Sequence, residues 1–362
     1  MKLFNCQQCS QTLLFENNLC ENCQSELGFL PELMTLSALT PLESGFNALA
    51  DDSNSVWYYC QNKQHNVCNW MVKEQGELCE ACDLNRHIPN LQNYEQQQAW
   101  QELESAKHRL VYSLLRLNLP VVSKKDAPEE GLSFDFISED NVVPDGAQTT
   151  TGHALGQVTI NAAEADSADR EQMRKDMNEP YRTLIGHLRH EVGHYYWDHL
   201  IAENAPILTN CRQMFGDERA DYGEALEKHY ETPVANWQEN FVSSYASSHP
   251  WEDWAETWAH YFHILDTLET AYEFGIQIQP VHGTHPSLVT QITLDPYQHQ
   301  NFDELLNQYL PLTFAANNLN RSMGQPDLYP FVIVPKVREK LGFIHQLLIQ
   351  NQANALNDTP DK

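Results

Sequence analysis

The sequence predicts an α+β fold: an α-rich domain that contains a small sheet, preceded by a small cysteine-rich module. Eight of the nine cysteines lie before residue 83, which sets this module apart from the rest of the chain. Further on, apolar residues recur every three or four positions over several long stretches, as they do on amphipathic helices. Two short stretches, residues 132–137 and 156–162, alternate apolar and polar side chains as strands do.

We divide the chain accordingly into a module at residues 1–90, a main domain at residues 91–352 and a polar tail at residues 353–362, which we expect to be flexible. Hydrophobic residues make up 41% of the 362, enough for a packed core. The net charge of -28 argues against nucleic acid and against membranes as partners. Because there is no apolar run of membrane-spanning length and no signal peptide, we expect a cytoplasmic protein.

The cysteines form two quartets with the spacing of zinc ligands. A C-x2-C turn brings two thiolates within reach of one tetrahedral ion, and a second pair completes the coordination shell. Because closed four-thiolate shells leave no position for a substrate, we expect both ions to be structural. Which cysteines share which ion is left open, since the quartets could interleave. The first quartet is Cys6, Cys9, Cys20 and Cys23, and the second is Cys60, Cys68, Cys79 and Cys82.

Zinc ribbons often bind nucleic acid, but the charge of this module argues against that role. Residues 1–90 contain four Lys or Arg against eleven Asp or Glu, and zinc-bound thiolates add further negative charge. No basic stripe is present to meet phosphates. We therefore predict a module that stabilises the main domain or docks a protein partner.

Four stretches of the main domain are predicted to be helical on ordinary packing grounds. The first ends before Pro120 and has an apolar stripe that consists of Trp100, Leu103, Leu110, Leu114 and Leu117. Residues 276–300, rich in Pro, His and Gly, are predicted to be a loop. The helical stretches are residues 92–119, 215–230, 302–323 and 335–350.

The chemically informative pattern is His190-Glu191-x-x-His194. Residues four apart lie on one face of a helix, so His190 and His194 can bind one metal ion together. Glu191 is rotated by about 100° from His190, so it can act on a water in the open coordination position. Apolar residues at helical spacing on both sides predict a long, partly buried helix. Gly193 is a poor helix former, so we expect the backbone to approach something closely there.

A catalytic zinc with two histidines needs a third protein ligand and an open position. The best candidates follow a predicted helix start at Pro250, where Glu252 and Glu256 lie four apart on one face. One of the two can bind zinc while the other hydrogen-bonds a ligand histidine, and their spacing does not decide which. Three tryptophans that would keep this face dry are Trp251, Trp254 and Trp258.

These two stretches resemble the gluzincin metallopeptidases, the thermolysin-like group. There the first acid of the second helix binds zinc and the acid four residues later orients the first histidine, which implies Glu252 as the ligand and Glu256 as the partner of His190. Ser244-Tyr245 and the acids that follow also resemble the lethal-factor-type gluzincins. That resemblance implies that the Tyr245 hydroxyl stabilises the tetrahedral oxyanion. We keep His249 as the alternative donor.

A closer resemblance extends over almost the whole chain, to a bacterial family of zinc-binding metallopeptidases with an N-terminal zinc ribbon. It implies a zincin-like fold for the main domain. We see no departure from the family at the motif positions. The similar segments are Leu14-Phe-Glu-Asn, Cys68-Asn-Trp, Leu84-Asn-Arg, Tyr181-Arg-Thr-Leu, Arg189-His-Glu-Val-Gly-His-Tyr-Tyr-Trp, His249-Pro-Trp-Glu-Asp-Trp-Ala-Glu-Thr, Asn320-Arg-Ser-Met-Gly and Asp327-Leu-Tyr-Pro-Phe.

The predicted reaction is hydrolysis of a peptide or isopeptide bond in a peptide or protein substrate. Zinc at His190, His194 and Glu252 lowers the pKa of its water, and Glu191 takes the proton and passes it to the leaving amine. We expect one catalytic zinc ion and two structural ones. Two alternatives remain: a non-catalytic interaction scaffold in which all zinc is structural, and a zinc hydrolase that acts on a non-peptide amide.

Overall fold

The computed structural model describes residues 1–138, 152–176, 179, 181–282 and 285–358. Helices and short strands combine in an α+β fold with a zinc-ribbon region at the N-terminus, as predicted. The chain divides into two compact units, Met1–Met173 and Arg174–Lys362. Within the described ranges, no helix has both the length and the apolar character that a membrane crossing requires.

The first unit holds the zinc-ribbon region and most of the described strands. In chain order its elements are β1 (Phe4–Asn5), β2 (Thr12–Leu13), β3 (Leu27–Leu30), β4 (Thr35–Pro41), β5 (Phe46–Ala48), β6 (Val56–Tyr59), β7 (Met71–Val72), α1 (Glu80–Asp83), β8 (Asn85–His87), α2 (Tyr94–Arg116), β9 (Ser133–Ile137), β10 (Gly152–Ala154), β11 (Gln157–Asn161) and α3 (Ser167–Asp176), which continues past the division. Strands β3 to β7 form an antiparallel sheet in sequential order, and a second sheet has the order β10-β11-β9-β8.

Each sheet has a simple physical basis. The sheet β3 to β7 encloses a small core of its own, formed by Leu30, Leu39, Ala48, Trp57 and Met71. In the second sheet, the two stretches predicted as strands are confirmed as β9 and β11, which pair in parallel. All five residues of β9 are buried, and the buried carboxylate of Asp135 is paired with Arg86 and His87.

Helix α2 is confirmed close to its predicted bounds, and all five residues of its predicted apolar stripe are buried. Asn93 caps the helix by accepting hydrogen bonds from the amides of Glu95 and Gln96. A second face of α2 is buried although it is polar. There the Nζ atom of Lys107 lies 2.7 Å from Oε1 of Glu104, and neither side chain is exposed.

This polar face of α2 lies against the second cysteine quartet. The Asn85 side chain hydrogen-bonds both Lys107 and Glu104. His108 Nδ1 donates to the Glu104 carbonyl at 2.7 Å, and its Nε2 lies 3.7 Å from Cys82 Sγ. Residues before and after the predicted boundary at residue 90 therefore share one buried cluster. The division into residues 1–90 and 91–352 stays a prediction.

The second unit is mostly helical. In chain order its elements are α4 (Leu184–Trp197), α5 (Ala205–Phe215), α6 (Tyr222–Glu231), α7 (Pro250–Glu273), β12 (Gln277–Ile278), β13 (Thr290–Gln291), α8 (Phe302–Ser322) and α9 (Pro335–Asp358). A π-helical turn, Asp198–Ala202, continues α4. The helices predicted at residues 302–323 and 335–350 are confirmed as α8 and α9. Helix α9 extends into the predicted tail, and residues 359–362 lie outside the described residues.

The predicted start of the helix at residues 215–230 is wrong. Phe215 is the last residue of α5, which the sequence analysis missed, and α6 begins only at Tyr222. Gly216, with φ 108°, ends α5, so the chain turns there before the next helix. The predicted loop at residues 276–300 also contains two short strands, β12 and β13, which pair with each other.

The buried cluster on α2 predicts the behaviour of a chain that starts at residue 91. Without Asn85 and Cys82, the Glu104–Lys107 pair and His108 lose partners that a buried polar group needs, so α2 should lose its protection. Hydrogen–deuterium exchange on α2 peptides is the measurement, with α7 peptides of the same sample as the internal reference. Equal protection of α2 in the full and shortened chains would support independent folding from residue 91.

Candidate metal centre

The histidines of the H-E-x-x-H motif lie on consecutive turns of α4, which Thr183 caps by accepting from the Gly186 amide. Their ring centroids are 5.0 Å apart. Glu252, in the first turn of α7, has its Oε2 atom 2.9 Å from His190 Nε2 and 3.6 Å from His194 Nε2. One ligand atom from each of these three residues lies within 4.8 Å of the other two.

These three side chains fit a zinc ion. All are buried, and Glu252 Oε2 has no hydrogen-bond partner among the described residues. A buried carboxylate oxygen without a partner costs free energy, and a cation where the three side chains converge removes that cost. Two imidazoles and one carboxylate are a ligand set that catalytic zinc sites use.

The charges of the site favour ionised Glu252. Burial alone would raise its pKa, but His194 and His190 outweigh burial and hold the pKa well below its ordinary value. For His190, burial would lower the pKa, but Glu252 and Glu256 raise it well above the ordinary value. The carboxylate is therefore deprotonated at neutral pH, which metal binding requires.

Glu256 lies on the other side of His190. Its Oε1 atom is 2.8 Å from His190 Nδ1, and its Oε2 atom accepts from the hydroxyl of Ser243 at 2.6 Å. Because an ionised carboxylate can only accept, Nδ1 of His190 carries a hydrogen, which leaves Nε2 to face Glu252 and the metal position. The geometry thus separates the two acids that spacing left open. Ser243 was missed, because nothing in its local pattern indicates a contact with Glu256.

Glu191 is also buried, and its carboxylate has a partner on the preceding turn. His187 Nε2 lies 3.3 Å from Glu191 Oε1. Arg182, which can only donate, lies 3.4 Å from His187 Nδ1 and is itself held by Glu179 at 3.1 Å. Burial would raise the pKa of Glu191, but the hydrogen bond with His187 and the charge of His190 bring it below its ordinary value. Sequence reasoning had found no role for His187.

Tyr245 lies beside the metal position, with its ring centroid 6.0 Å from that of His190. Nearby, the hydroxyl of Tyr222 donates to Glu252 Oε1 at 2.7 Å. Burial raises the pKa of Tyr245, so it keeps its proton and can donate. Its role towards an oxyanion stays a prediction. Tyr222 was missed by sequence reasoning, since it belongs to neither motif.

His249 contacts the backbone at the start of α7. It is the N-cap residue of α7, where its Nδ1 atom accepts from the Trp251 amide at 3.1 Å. Its Nε2 atom lies 3.1 Å from the carbonyl oxygen of Ala220, so it donates there. Both ring nitrogens are thus engaged with the backbone, and the predicted contact of His249 with the oxyanion stays a prediction.

The cysteines gather in the two predicted quartets without interleaving, which answers the question of which cysteines lie together. In the first quartet, Cys6 and Cys23 have their Sγ atoms 3.6 Å apart, as do Cys9 and Cys20. In the second quartet, the Sγ atoms of Cys68 and Cys79 are 3.7 Å apart. Two thiolates on one tetrahedral zinc ion are about 3.8 Å apart. All nine cysteines of the chain are free of disulfides, so both quartets can bind zinc.

Comparison with known proteins shows the family of the chain. A family described as "Putative zinc-binding metallo-peptidase" matches residues 96–347, and a zinc-ribbon domain matches residues 3–93. The chain belongs to this metallopeptidase family. Proteins of Mycobacterium bovis and Mycobacterium tuberculosis, described as uncharacterized, are 40% identical to it over 351 residues, which cover 96% of this chain and 95% of theirs. No solved structure matches the chain.

In this member of the zinc-binding metallopeptidase family, the ligands meet because α4 and α7 pack closely at Gly193. A Cβ atom at Gly193 would lie 3.2 Å from Ala255 Cα and 3.1 Å from Trp258 Cδ1. The indole nitrogen of Trp254 donates to the Gly193 carbonyl at 2.8 Å, which fixes the register of the two helices. The prediction of a close backbone approach at this glycine is confirmed.

A second set of contacts between α4 and α7 lies one turn of α4 before Gly193. Sequence reasoning missed it. Arg189, buried and next to His190 in the chain, forms an ion pair with Asp266 of α7. Its guanidinium also lies 2.6 Å from His263 Nδ1. Asp266 in turn accepts from the hydroxyl of Tyr297. These contacts hold α7 against α4 in the part of the helix that follows Glu252 and Glu256.

Gly193→Ala should lower both stability and zinc retention at the histidine site. The added methyl group forces α4 and α7 apart, at a cost of about 1–3 kcal/mol, or a fall in Tm of several degrees. Gly342→Ala in α9 is the matched control, because the nearest atom to its Cβ is 4.0 Å away. That variant should gain about 0.5–1 kcal/mol from helix propensity. Thermal melts measure the stability of the two variants, and zinc analysis measures their metal content. An equal gain in stability in both variants would contradict the packing argument.

Proposed function

We propose that this protein is a zinc-dependent peptidase that hydrolyses a peptide or isopeptide bond. The observation that carries the proposal is the convergence of one ligand atom each from His190, His194 and Glu252, all buried, with Glu191 on the same helix between the histidines. Family membership supports the class of reaction. The gluzincin arrangement of ligands, with the acid on a second helix, belongs to the same proposal.

When bound, zinc supplies a Lewis acid that polarises water and the substrate carbonyl. Glu191, ionised in its buried position, accepts the proton of the attacking water and returns it to the leaving amine. His187 orients the Glu191 carboxylate by donating from Nε2. Glu256 keeps His190 in the tautomer whose Nε2 is a ligand. The Tyr245 hydroxyl donates to the negative charge that develops on the carbonyl oxygen.

The remaining zinc is proposed to be structural, with one ion in each cysteine quartet and three ions in total. The acidic zinc-ribbon module, with eleven Asp or Glu among residues 1–90, is suited to contact with a protein partner and unsuited to nucleic acid or anionic membranes. We propose a cytoplasmic location, because thiolate zinc sites fit a reducing compartment.

Glu191→Gln tests the general base. The amide has nearly the shape of the carboxylate but cannot accept the proton, so turnover should fall by at least about 100-fold while zinc stays bound. The measurement counts new N-termini by mass spectrometry after purified protein is mixed with a peptide library, alongside zinc analysis. Glu203→Gln, at an exposed position, is the control and should behave as the parent does. A Glu191→Gln variant as active as the parent would exclude Glu191 as the base.

Metal analysis separates the peptidase from a scaffold. The peptidase requires three zinc ions in the parent, two in His194→Ala and two in Cys9→Ser, with the loss in His194→Ala abolishing turnover. A scaffold with structural zinc alone predicts two ions in both the parent and His194→Ala. Three ions without peptide cleavage would point to a zinc hydrolase that acts on another amide.

A further inference from the structure

Tyr222 is the first residue of α6, and its hydroxyl donates to Glu252 Oε1 at 2.7 Å. The other carboxylate oxygen, Oε2, is the one that lies near His190 and His194. We propose that Tyr222 is a positioning residue, which holds the Glu252 carboxylate so that a single oxygen is presented to the metal. The proposal rests on the zinc site proposed above and adds a residue outside both motifs.

A carboxylate can bind a metal ion through one oxygen or through both, and its hydrogen bonds decide which. In this site Oε1 is occupied by Tyr222, while Oε2 has no hydrogen-bond partner among the described residues. Glu252 is only 1% exposed, so water has little access to replace the tyrosine hydroxyl. Removal of that hydroxyl therefore leaves Oε1 unpaired or lets the carboxylate rotate. Either outcome weakens the metal site.

The two tyrosines near the metal position have different roles in this arrangement. The only hydroxyl hydrogen of Tyr222 goes to the Glu252 carboxylate, whereas the Tyr245 hydroxyl makes no hydrogen bond to Glu252. Tyr245 can rotate its hydroxyl towards a substrate without disturbing the ligand. Tyr222 cannot do so, because it would release Glu252.

The segment that carries Tyr222 is anchored to the helix that carries Glu252. His249, at the start of α7, donates to the carbonyl oxygen of Ala220, two residues before Tyr222. The ring of His249 also packs edge-on against Tyr222, at 5.3 Å between centroids. Asp221 caps α6 by accepting from the Glu224 amide at 2.8 Å. These contacts fix Tyr222 relative to the first turn of α7 and give His249 its function.

The experiment compares Tyr222→Phe with Tyr245→Phe, and Tyr272→Phe at the exposed end of α7 is the control. Zinc is removed from the histidine site with a competing chelator that leaves the cysteine sites filled, and rebinding of zinc alone is titrated. Tyr222→Phe should bind zinc about 10- to 100-fold more weakly, whereas the other two variants should match the parent. With peptide substrate, excess zinc should rescue Tyr222→Phe but not Tyr245→Phe.

The outcomes are distinguishable. Equal zinc affinity in the parent and in Tyr222→Phe would overturn the positioning role and leave the proposed peptidase intact. A parent that rebinds no zinc at the histidines would overturn both. If the parent binds zinc but cleaves no peptide, weaker binding by Tyr222→Phe still establishes the positioning role, because the titration does not depend on turnover.

Discussion

The close packing of α4 against α7 at Gly193 is the constraint on which the site depends. Two helices with ordinary side chains at their contact lie about 8–10 Å apart, axis to axis. Without a Cβ at Gly193, the backbone of Ala255 and the ring of Trp258 come directly against α4. Glu252, one turn before Ala255, is thereby brought within 2.9 Å of His190. Neither helix holds all three of His190, His194 and Glu252, so the proposed metal site depends on this contact.

A second constraint is the burial of charge around this contact. Glu191, Glu252 and the two histidines are all at least nine-tenths buried, and buried charges are stable only when they are paired. Two ligand atoms that face away from the proposed metal position have a partner: Glu256 for Nδ1 of His190 and Tyr222 for Oε1 of Glu252. Glu252 Oε2, which faces that position, has no hydrogen-bond partner among the described residues, and a divalent cation there would offset the cost of its burial.

The sequence was informative where chemistry follows local periodicity. Spacing of four on a helix predicted that His190 and His194 share a face, and the same spacing predicted the pair Glu252 and Glu256. Cysteine spacing likewise predicted both quartets. The sequence did not predict the contact of Tyr222 with Glu252 or the backbone contacts of His249. These contacts depend on the path of the segment between α5 and α6. That path is set by a turn at Gly216 and by capping contacts, which leave no periodic pattern in the sequence.

The zinc-ribbon region illustrates how a sequence boundary can differ from a physical one. The two family matches meet between residues 93 and 96, at the start of α2. Yet His108 of α2 faces Cys82, and Asn85 bonds the buried Glu104–Lys107 pair of the same helix. An ion held by the second quartet would fix Cys82 and so the partners of α2. The ribbon is therefore part of the packing of the first unit.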